Sequence, residues 1–340
     1  MRRLLPAAIG LGLLVPAASV AQEGEEAPTL GTLFSPLSAR REWGRGPLPI
    51  RDAMPLSSMR LLLHPFGPGV PKRDHPAGRI EVTWANTFLS ADDSTVDAET
   101  VRAAIEVRDA VSDRMDVGLE VPIVWRGGGV LDGVSNFLHD VFGAPDGDRS
   151  DARDGRHEIA VFDGAGRSEL DRDFGLGDLV LSSQARLHDG SPGSPAVALR
   201  GELRLPTASD DLGADGIDAG LALGLSKRVF DGVYAYAGGG GTHFFDTRHE
   251  GFEFEETRGY GFAALEWQAL EGFSVLVQAD LASPLLRSPR ELDGWQSYVH
   301  VGGIVDLSES ARLELAFVEN VEDQDATADF ALFAGVGVTF

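Results

Sequence analysis

The sequence predicts an all-β fold: an antiparallel transmembrane β-barrel of about twelve strands, with one short helix in a long external loop. Three observations lead to this class. The N-terminus has the pattern of an export signal, the chain repeats long segments of alternating apolar and polar residues, and the last segment ends on Phe340. Glycine supplies 42 of the 340 residues, about 12% against a typical ~7%, which favours turns and closely packed strands.

The charge balance is strongly acidic. Lys and Arg total 29 and Asp and Glu total 53, so the formal charge is −24, and removing residues 1–21 with Arg2 and Arg3 takes it to −24 − 2 = −26. Nucleic-acid binding depends on basic side chains that neutralise phosphates, so we expect no nucleic-acid partner. The chain has no cysteine, which excludes disulfides and thiolate metal sites.

Residues 1–21 have the pattern of a cleaved secretory signal peptide. A positive start is followed by the apolar run 4–15 and by Ser19-Val20-Ala21, a small-x-small cleavage pattern. The run is shorter than the ~20 residues of a membrane-spanning helix, and the alternative is an apolar core segment. No later apolar run approaches ~18 residues, so the exported chain is either a soluble secreted protein or a barrel.

Alternating segments of roughly 10 to 12 residues favour the barrel. In the first segment the apolar Ile80 and Val82 flank the acidic Glu81. A tilted transmembrane strand has about 9–11 residues, whereas strands of soluble proteins average about 5–6. The predicted strands are 79–89, 99–108, 114–124, 177–188, 196–205, 217–228, 233–244, 259–268, 273–283, 297–306, 311–320 and 330–340.

The predicted connections alternate between short and long, as they do between the periplasmic and external sides of outer-membrane barrels. Short turns are expected near 109–113, 189–194, 229–232, 269–272 and 307–310. Long connections are expected near 90–98, 125–176, 206–216, 245–257, 284–296 and 321–329. An even strand number puts both chain ends on the periplasmic side. The terminal Phe340 resembles the assembly signal of outer-membrane barrels, which implies the barrel-assembly machinery as a partner, with outer-membrane lipid and lipopolysaccharide around the barrel.

Residues 22–78 precede the barrel, which is assigned to 79–340. Their many prolines preclude long regular elements. We expect this segment to be periplasmic or to enter the lumen as a hatch. The alternative is a leader without a special function.

Three stretches resemble a known bacterial family. They are Gly46–Asp52, the run from Gly127 through His139 to Arg149, and Gly177-Asp178 with the later run Gly201–Thr207. On the basis of these stretches, the chain resembles the family called domain of unknown function 3187. The last stretch also resembles outer-membrane barrels of the aromatic meta-degradation pathway. The resemblance spans about residues 45–340 and implies an outer-membrane barrel, without implying an activity.

The inward positions of the predicted strands carry charges of both signs. Rings of charge set selectivity in channels, whereas opposite charges in contact would fill the lumen and conduct nothing. Both interpretations stay open. The lumen-lining candidates are Arg79, Glu81, Arg102, Glu106, Glu120, Asp178, Arg186, Arg200, Glu202, Arg204, Asp280 and Glu314.

Residues 126–142 interrupt the alternation with apolar residues spaced by three and four, which predicts a short amphipathic helix inside the external loop 125–176. Such a helix could narrow the pore or cap the barrel mouth, and the pattern favours neither. The constriction candidates are Asp132, Phe137, His139 and Asp140.

The function predicted from these features is a narrow passive outer-membrane pore for a small solute, without catalysis, cofactor or metal. The acidic run at 146–154 lacks the spacing of a calcium-binding loop. The alternative is a non-conducting structural or ligand-binding barrel. An outer-membrane hydrolase is less favoured, because no serine motif accompanies the histidines.

Overall fold

The computed structural model describes residues 43–90, 94–129, 155–163, 166–288, 292–321 and 326–340. Twelve long strands form the barrel. They are β1 (Ala77–Ser90), β2 (Ser94–Ser112), β3 (Met115–Gly127), β4 (Leu179–His188), β5 (Ala196–Leu205), β6 (Asp218–Phe230), β7 (Val233–Phe244), β8 (Thr257–Leu270), β9 (Phe273–Ala282), β10 (Gln296–Asp306), β11 (Ala311–Asn320) and β12 (Phe330–Thr339).

The sheet closes on itself. Each strand pairs antiparallel with its neighbours in sequence, and β1 pairs with β12 from Ala77 opposite Thr339 to Asn86 opposite Phe330. Because every long strand has a partner on both sides, its backbone donors and acceptors are satisfied without water, as a membrane requires. The predicted twelve-stranded antiparallel barrel is confirmed.

The strand boundaries differ from the prediction at both ends of several strands. At the short-turn end, residues 109–112, 229–230 and 269–270 were expected in turns but extend β2, β6 and β8. Residues 94–98 were expected in a loop but belong to β2, and residues 94–97 pair with a short external strand, Glu158–Asp163. Further short strands in the long connections are Gly166–Glu169, Asp173–Leu176, Arg248–His249, Phe252–Phe254 and Leu286–Ser288. The predicted helix at 126–142 is wrong at its start, because Arg126 and Gly127 end β3. Its part from residue 130 onward lies outside the described residues.

The outer surface of the barrel is apolar. Leu221 and Leu223 on β6 and Val277 on β9 are about half exposed. The residues that alternate with them along each strand are buried and face the lumen. Exposed aromatic side chains lie near both ends of the strands: Phe230, Trp267 and Phe340 at one end, Phe174, Phe245 and Trp295 at the other. An apolar band between two aromatic girdles is the surface of a transmembrane β-barrel.

Residues 43–70, called here the lumenal segment, fill the interior. Apart from one 3₁₀ turn, Ser57–Met59, the segment has no regular structure. Leu48, Met54 and Met59 are almost fully buried and belong to one apolar cluster with wall residues such as Ile304 and Phe333. The main core of the protein therefore lies between this segment and the inner face of the barrel.

Candidate functional site in the barrel lumen

The backbone of the lumenal segment is hydrogen-bonded to inward-facing side chains. Gln278 on β9 accepts from the Leu48 N–H at 3.0 Å and donates to the Leu48 carbonyl at 3.1 Å. On the opposite wall, Gln184 on β4 donates to the carbonyls of Gly67 and Gly69 at 3.0 and 2.9 Å. Irregular backbone at membrane depth is stable only when protein groups satisfy it. The prolines of the segment ease this requirement, because they carry no N–H.

A continuous network of ion pairs crosses the lumen. It contains five arginines and five glutamates, and it joins strands β1, β2, β3, β5 and β11 to the lumenal segment. In order of contact its members are Arg312, Glu314, Arg79, Glu81, Arg102, Glu120, Arg51, Glu202, Arg200 and Glu106. Within the network the charges are equal in number. The buried carboxylates are thus compensated, which burial of charge requires.

Arg51 is the member that the lumenal segment contributes. Its guanidinium lies 3.1 Å from Glu120 Oε2 on β3 and 3.0 Å from Glu202 Oε2 on β5, and it also donates to the Leu62 carbonyl. Burial opposes the charged form of Arg51, but the two carboxylates outweigh burial and raise the pKa of the guanidinium above its usual value. His64 Nε2, also in the segment, lies 3.3 Å from Glu202 Oε1.

Arg60 attaches the segment to the external end of the barrel. Its guanidinium carbon lies 4.5 Å from the ring centroids of both Phe244 and Phe254, and Nη1 is 3.7 Å from Asp218 Oδ1. Burial lowers the pKa of Arg60 to about 10, and Asp218 opposes this only in part. The neighbouring Arg204 on β5 ion-pairs with Asp218 at 2.5 Å and with Asp178.

Within the part of the lumen that the described residues form, one cavity lies on each side of the Arg51 ion pairs. The inner cavity has a volume of about 40 Å³ and is lined by Arg51, Leu63 and the external ends of several strands, such as Thr242 and Ala282. The second cavity, called here the vestibule, has a volume of about 390 Å³ and opens at the end of the barrel that carries the short turns. Its lining includes Pro49 and His64, which adjoin in sequence the residues Ile50 and Leu63 of the inner cavity. Arg51 with Glu120 and Glu202 therefore lies between them.

The lumen-lining candidates occupy inward positions, and most are in contact with one another. Eight of the candidates belong to the ion-pair network. Its buried members are Glu81, Arg102, Glu120, Arg200, Glu202 and Glu314, and Arg79 and Glu106 lie at its vestibule side. Asp178 and Arg204 form a separate ion pair at the external end. The guanidinium carbon of Arg186 lies 4.9 Å from the ring centroid of Trp43, near the short turns. Asp280 lines the inner cavity. Asp132, Phe137, His139 and Asp140 lie outside the described residues.

Sequence reasoning missed His64 and the cations that the segment supplies, namely Arg45, Arg51 and Arg60. Arg45 forms an ion pair with Asp306 at 2.7 Å and donates hydrogen bonds to Ser274 and Glu266. Sequence reasoning also missed these partners. One signal could have identified these cations. The lumen-lining candidates contain seven carboxylates and five arginines, and a surplus of buried carboxylates calls for a cation from elsewhere in the chain.

Among the residues that the structure describes, no group of three or more His, Asp and Glu side chains could hold a metal ion. The helices in that part of the chain lack the length and hydrophobicity of a transmembrane helix.

Comparison with known proteins identifies the family. No curated protein matches the sequence. The NanC porin has a similar structure, with a TM-score of 0.45 and 7% identity over 77% of this chain and 100% of that one. The toluene transporter TodX of P. putida has a TM-score of 0.38 and 12% identity over 79% of this chain and 89% of that one. The model of a family described as a protein of unknown function, DUF3187, matches residues 32–340, and the chain therefore belongs to this family.

Proposed function

We propose that the protein is an outer-membrane channel that passes a small solute passively and is closed at rest by its own lumenal segment. The observation that carries the proposal is the position of Arg51 and its two glutamates between the inner cavity and the vestibule. The solute would move when the segment shifts within the barrel, without a covalent step. After export and insertion by the barrel-assembly machinery, the apolar belt contacts lipid and the external loops contact lipopolysaccharide.

The charges on this path are contacts between opposite signs rather than open rings. Arg79 and Arg312 both pair with Glu314, and Arg200 pairs with Glu106 at 3.0 Å and with Glu202 at 2.7 Å. Each arginine of the network is paired with carboxylates, so the network offers a permeating ion no uncompensated charge. We therefore expect the closed state to exclude ions and the open state to depend on movement of the segment.

A second candidate, a permanently filled barrel that does not conduct, is favoured by the apolar packing of the segment. Leu48, Leu56 and Met59 are fully buried. Extracting one such side chain into water costs about 1.5–3 kcal/mol. Complete expulsion of the segment is therefore not an opening step, and the channel we propose opens by a local shift around Arg51.

A reversible tether between segment and wall tests the channel directly. A Cβ built at Gly220 on β6 would lie 2.8 Å from Leu63 Cδ2, so the two positions are in contact and are the pair at which to introduce the tether. The natural chain has no cysteine, so the pair Leu63→Cys and Gly220→Cys forms the single disulfide. In planar bilayers we expect openings of the reduced protein and none of the oxidised protein. Equal conductance in both states would refute gating by the segment.

Substitution of Arg51 provides the complementary measurement. Arg51→Met removes the barrier between the cavities, and we expect at least a tenfold higher open probability. Arg102→Met is the matched control, because among the described residues the ion pairs of Arg102 are with the wall carboxylates Glu81 and Glu120 and not with the lumenal segment. It should change the open probability less than twofold. If folded wild type and Arg51→Met are both silent, the barrel does not conduct and the second candidate holds.

A further inference from the structure

The vestibule has the size of a site for a small organic molecule. Its volume of about 390 Å³ is more than twice the ~150 Å³ that admits a benzene molecule, and it falls within the roughly 300–1,000 Å³ of small-molecule sites. It opens at the short-turn end of the barrel, so a dissolved molecule reaches it without passing the Arg51 ion pairs.

Arginines dominate the charges of the vestibule lining. The whole chain has the opposite balance, with 53 acidic and 29 basic residues. Of the two glutamates in the lining, Glu106 is compensated by Arg200 at 3.0 Å, and Glu309 is exposed in the turn 307–310. The charged members of the lining are Arg45, Arg79, Arg108, Arg200, Arg312, Glu106 and Glu309.

The carboxylates that pair with most of these arginines lie behind them. Arg79 and Arg312 share the fully buried Glu314, and Arg108 pairs with the fully buried Asp116, and neither carboxylate belongs to the vestibule lining. The guanidinium groups therefore stand between the cavity and their own counter-charges. Each guanidinium carries five N–H donors, more than its ion pairs occupy, so it can also bind a guest.

Gly337 on β12 leaves a gap between two of the arginines. In the barrel ladder it lies opposite Arg312 on β11 and opposite Arg79 on β1, and all three residues line the vestibule. A Cβ at Gly337 would have Arg312 Nε as its nearest atom, at 3.4 Å, so no other side chain occupies the gap. A carboxylate placed there can accept hydrogen bonds from both guanidinium groups, whose planar geometry suits carboxylate oxygens.

The lumenal segment gives the vestibule an apolar side. Pro47, Pro49, Pro65 and Phe66 line it. These side chains carry neither charge nor a hydrogen-bond donor, so they favour the apolar part of a guest. A cationic wall opposite an apolar segment suits a molecule that has one anionic end and an apolar body.

We propose that the vestibule binds a small organic carboxylate with a single negative charge and an apolar body. The carboxylate accepts from Arg79 and Arg312 beside Gly337, and the body packs against Phe66 and the prolines of the segment. A second negative charge is disfavoured, because Arg79 and Arg312 are already paired with Glu314 and would leave it uncompensated. The inference deepens the proposed function and rests on it only in making this anion a solute of the channel.

Binding is measured with cyclohexanecarboxylate by titration calorimetry of the folded protein in detergent, against a blank of the same micelles. Cyclohexanecarboxamide has nearly the same shape without the charge, cyclohexylmethylammonium reverses the charge, and acetate lacks the apolar body. We expect saturable binding of cyclohexanecarboxylate with a stoichiometry of one, and at least tenfold weaker binding of the other three probes.

The same series defines the results that would contradict the proposal. Equal affinity for the carboxylate and the carboxamide would overturn the role of the arginines. Equal affinity for acetate would overturn the role of the apolar side, and the absence of saturable heat from the carboxylate would overturn the site.

Two variants and one control locate the binding, each checked for folding by the heat-dependent shift in gel mobility. Arg312→Gln should weaken cyclohexanecarboxylate at least fivefold. Gly337→Leu keeps every charge but fills the gap, and it should abolish binding. Arg114→Gln is the matched control, because this arginine is 58% exposed near the short turns and lies outside the vestibule lining, so the affinity should stay within twofold. Unchanged affinity in both vestibule variants would place the bound carboxylate elsewhere and refute the proposal.

Conductance and binding fail separately. Saturable binding that depends on Arg312 and Gly337, in a barrel that is silent in bilayers, would retain the ligand site and refute the channel. Openings that depend on Arg51, with no binding of cyclohexanecarboxylate, would retain the channel and refute the ligand class.

Discussion

Arg51 Nη1 lies 3.0 Å from Glu202 Oε2, although 151 positions separate the two residues in the chain. Both side chains are buried, at 5% and 0% exposure. The pair joins a segment without regular structure to the middle of a transmembrane strand. It explains why an irregular, proline-rich stretch is held in a defined position inside the barrel.

Loss of the Arg51 charge should destabilise the protein strongly. Arg51→Met leaves Glu120 and Glu202 without this cation, and removal of one partner from a buried ion pair costs about 3–5 kcal/mol. The double variant Arg51→Met with Glu202→Gln should recover part of that loss, because one uncompensated charge is gone. Urea unfolding of the folded protein in detergent measures both values. A loss below about 1 kcal/mol for Arg51→Met would show that the pair does not hold the segment.

Packing of the segment can be tested with two methionines. Met59 in the lumenal segment is fully buried, whereas Met115 at the start of β3 is 39% exposed. We expect Met59→Ala to lower the free energy of unfolding by about 2–5 kcal/mol, because it leaves a cavity in the core. Met115→Ala should cost less than about 0.5 kcal/mol. Equal effects of the two substitutions would mean that the segment contributes little to the core.

The depth of the membrane can be tested on one strand. Leu223 lies near the middle of β6 and Val229 near its short-turn end, and both are exposed on the outer surface. Leu223→Arg should reduce the stability of the inserted barrel by about 2–4 kcal/mol, and Val229→Arg by about 0–1 kcal/mol, because the cost of a charge falls towards the interface. The measurement is reversible unfolding from lipid vesicles. A larger effect at Val229 would place the apolar belt elsewhere.

The glycine run 238–241 on β7 should tolerate alanine unequally. A Cβ at Gly238 would lie 2.4 Å from the Phe262 ring and 2.6 Å from the Leu223 carbonyl oxygen, whereas at Gly241 the nearest atom is the Arg258 carbonyl oxygen at 3.5 Å. Gly238→Ala should therefore destabilise the barrel by about 1–3 kcal/mol through overpacking, and Gly241→Ala should be nearly neutral. Thermal shifts of the two folded variants compare them. The opposite order would indicate that Phe262 moves aside without cost.

The same glycine run shows how well a strand can be predicted from its local sequence pattern. It hides the alternation of β7, yet the strand was predicted correctly at 233–244, because the flanking residues and the turn at Asp231-Gly232 remain. The external ends were predicted less well. Residues 95–98 pair with the end of β1 on one side, and residues 94–97 pair with the distant strand Glu158–Asp163 on the other. The second pairing leaves no local signal in the sequence.

Strand number, the approximate position of each strand and the division into inward and outward faces were determined by the sequence alone. They follow from a two-residue periodicity that is local to each strand, as Ile80 on the outside and Glu81 on the inside illustrate. Only the tertiary structure decided that the lumenal segment lies inside the barrel, that Arg51 joins Glu120 to Glu202, and that Asp280 meets His300. These contacts depend on closure of the sheet, which brings together residues far apart in the chain, and an irregular segment carries no periodic pattern from which its partners could be predicted.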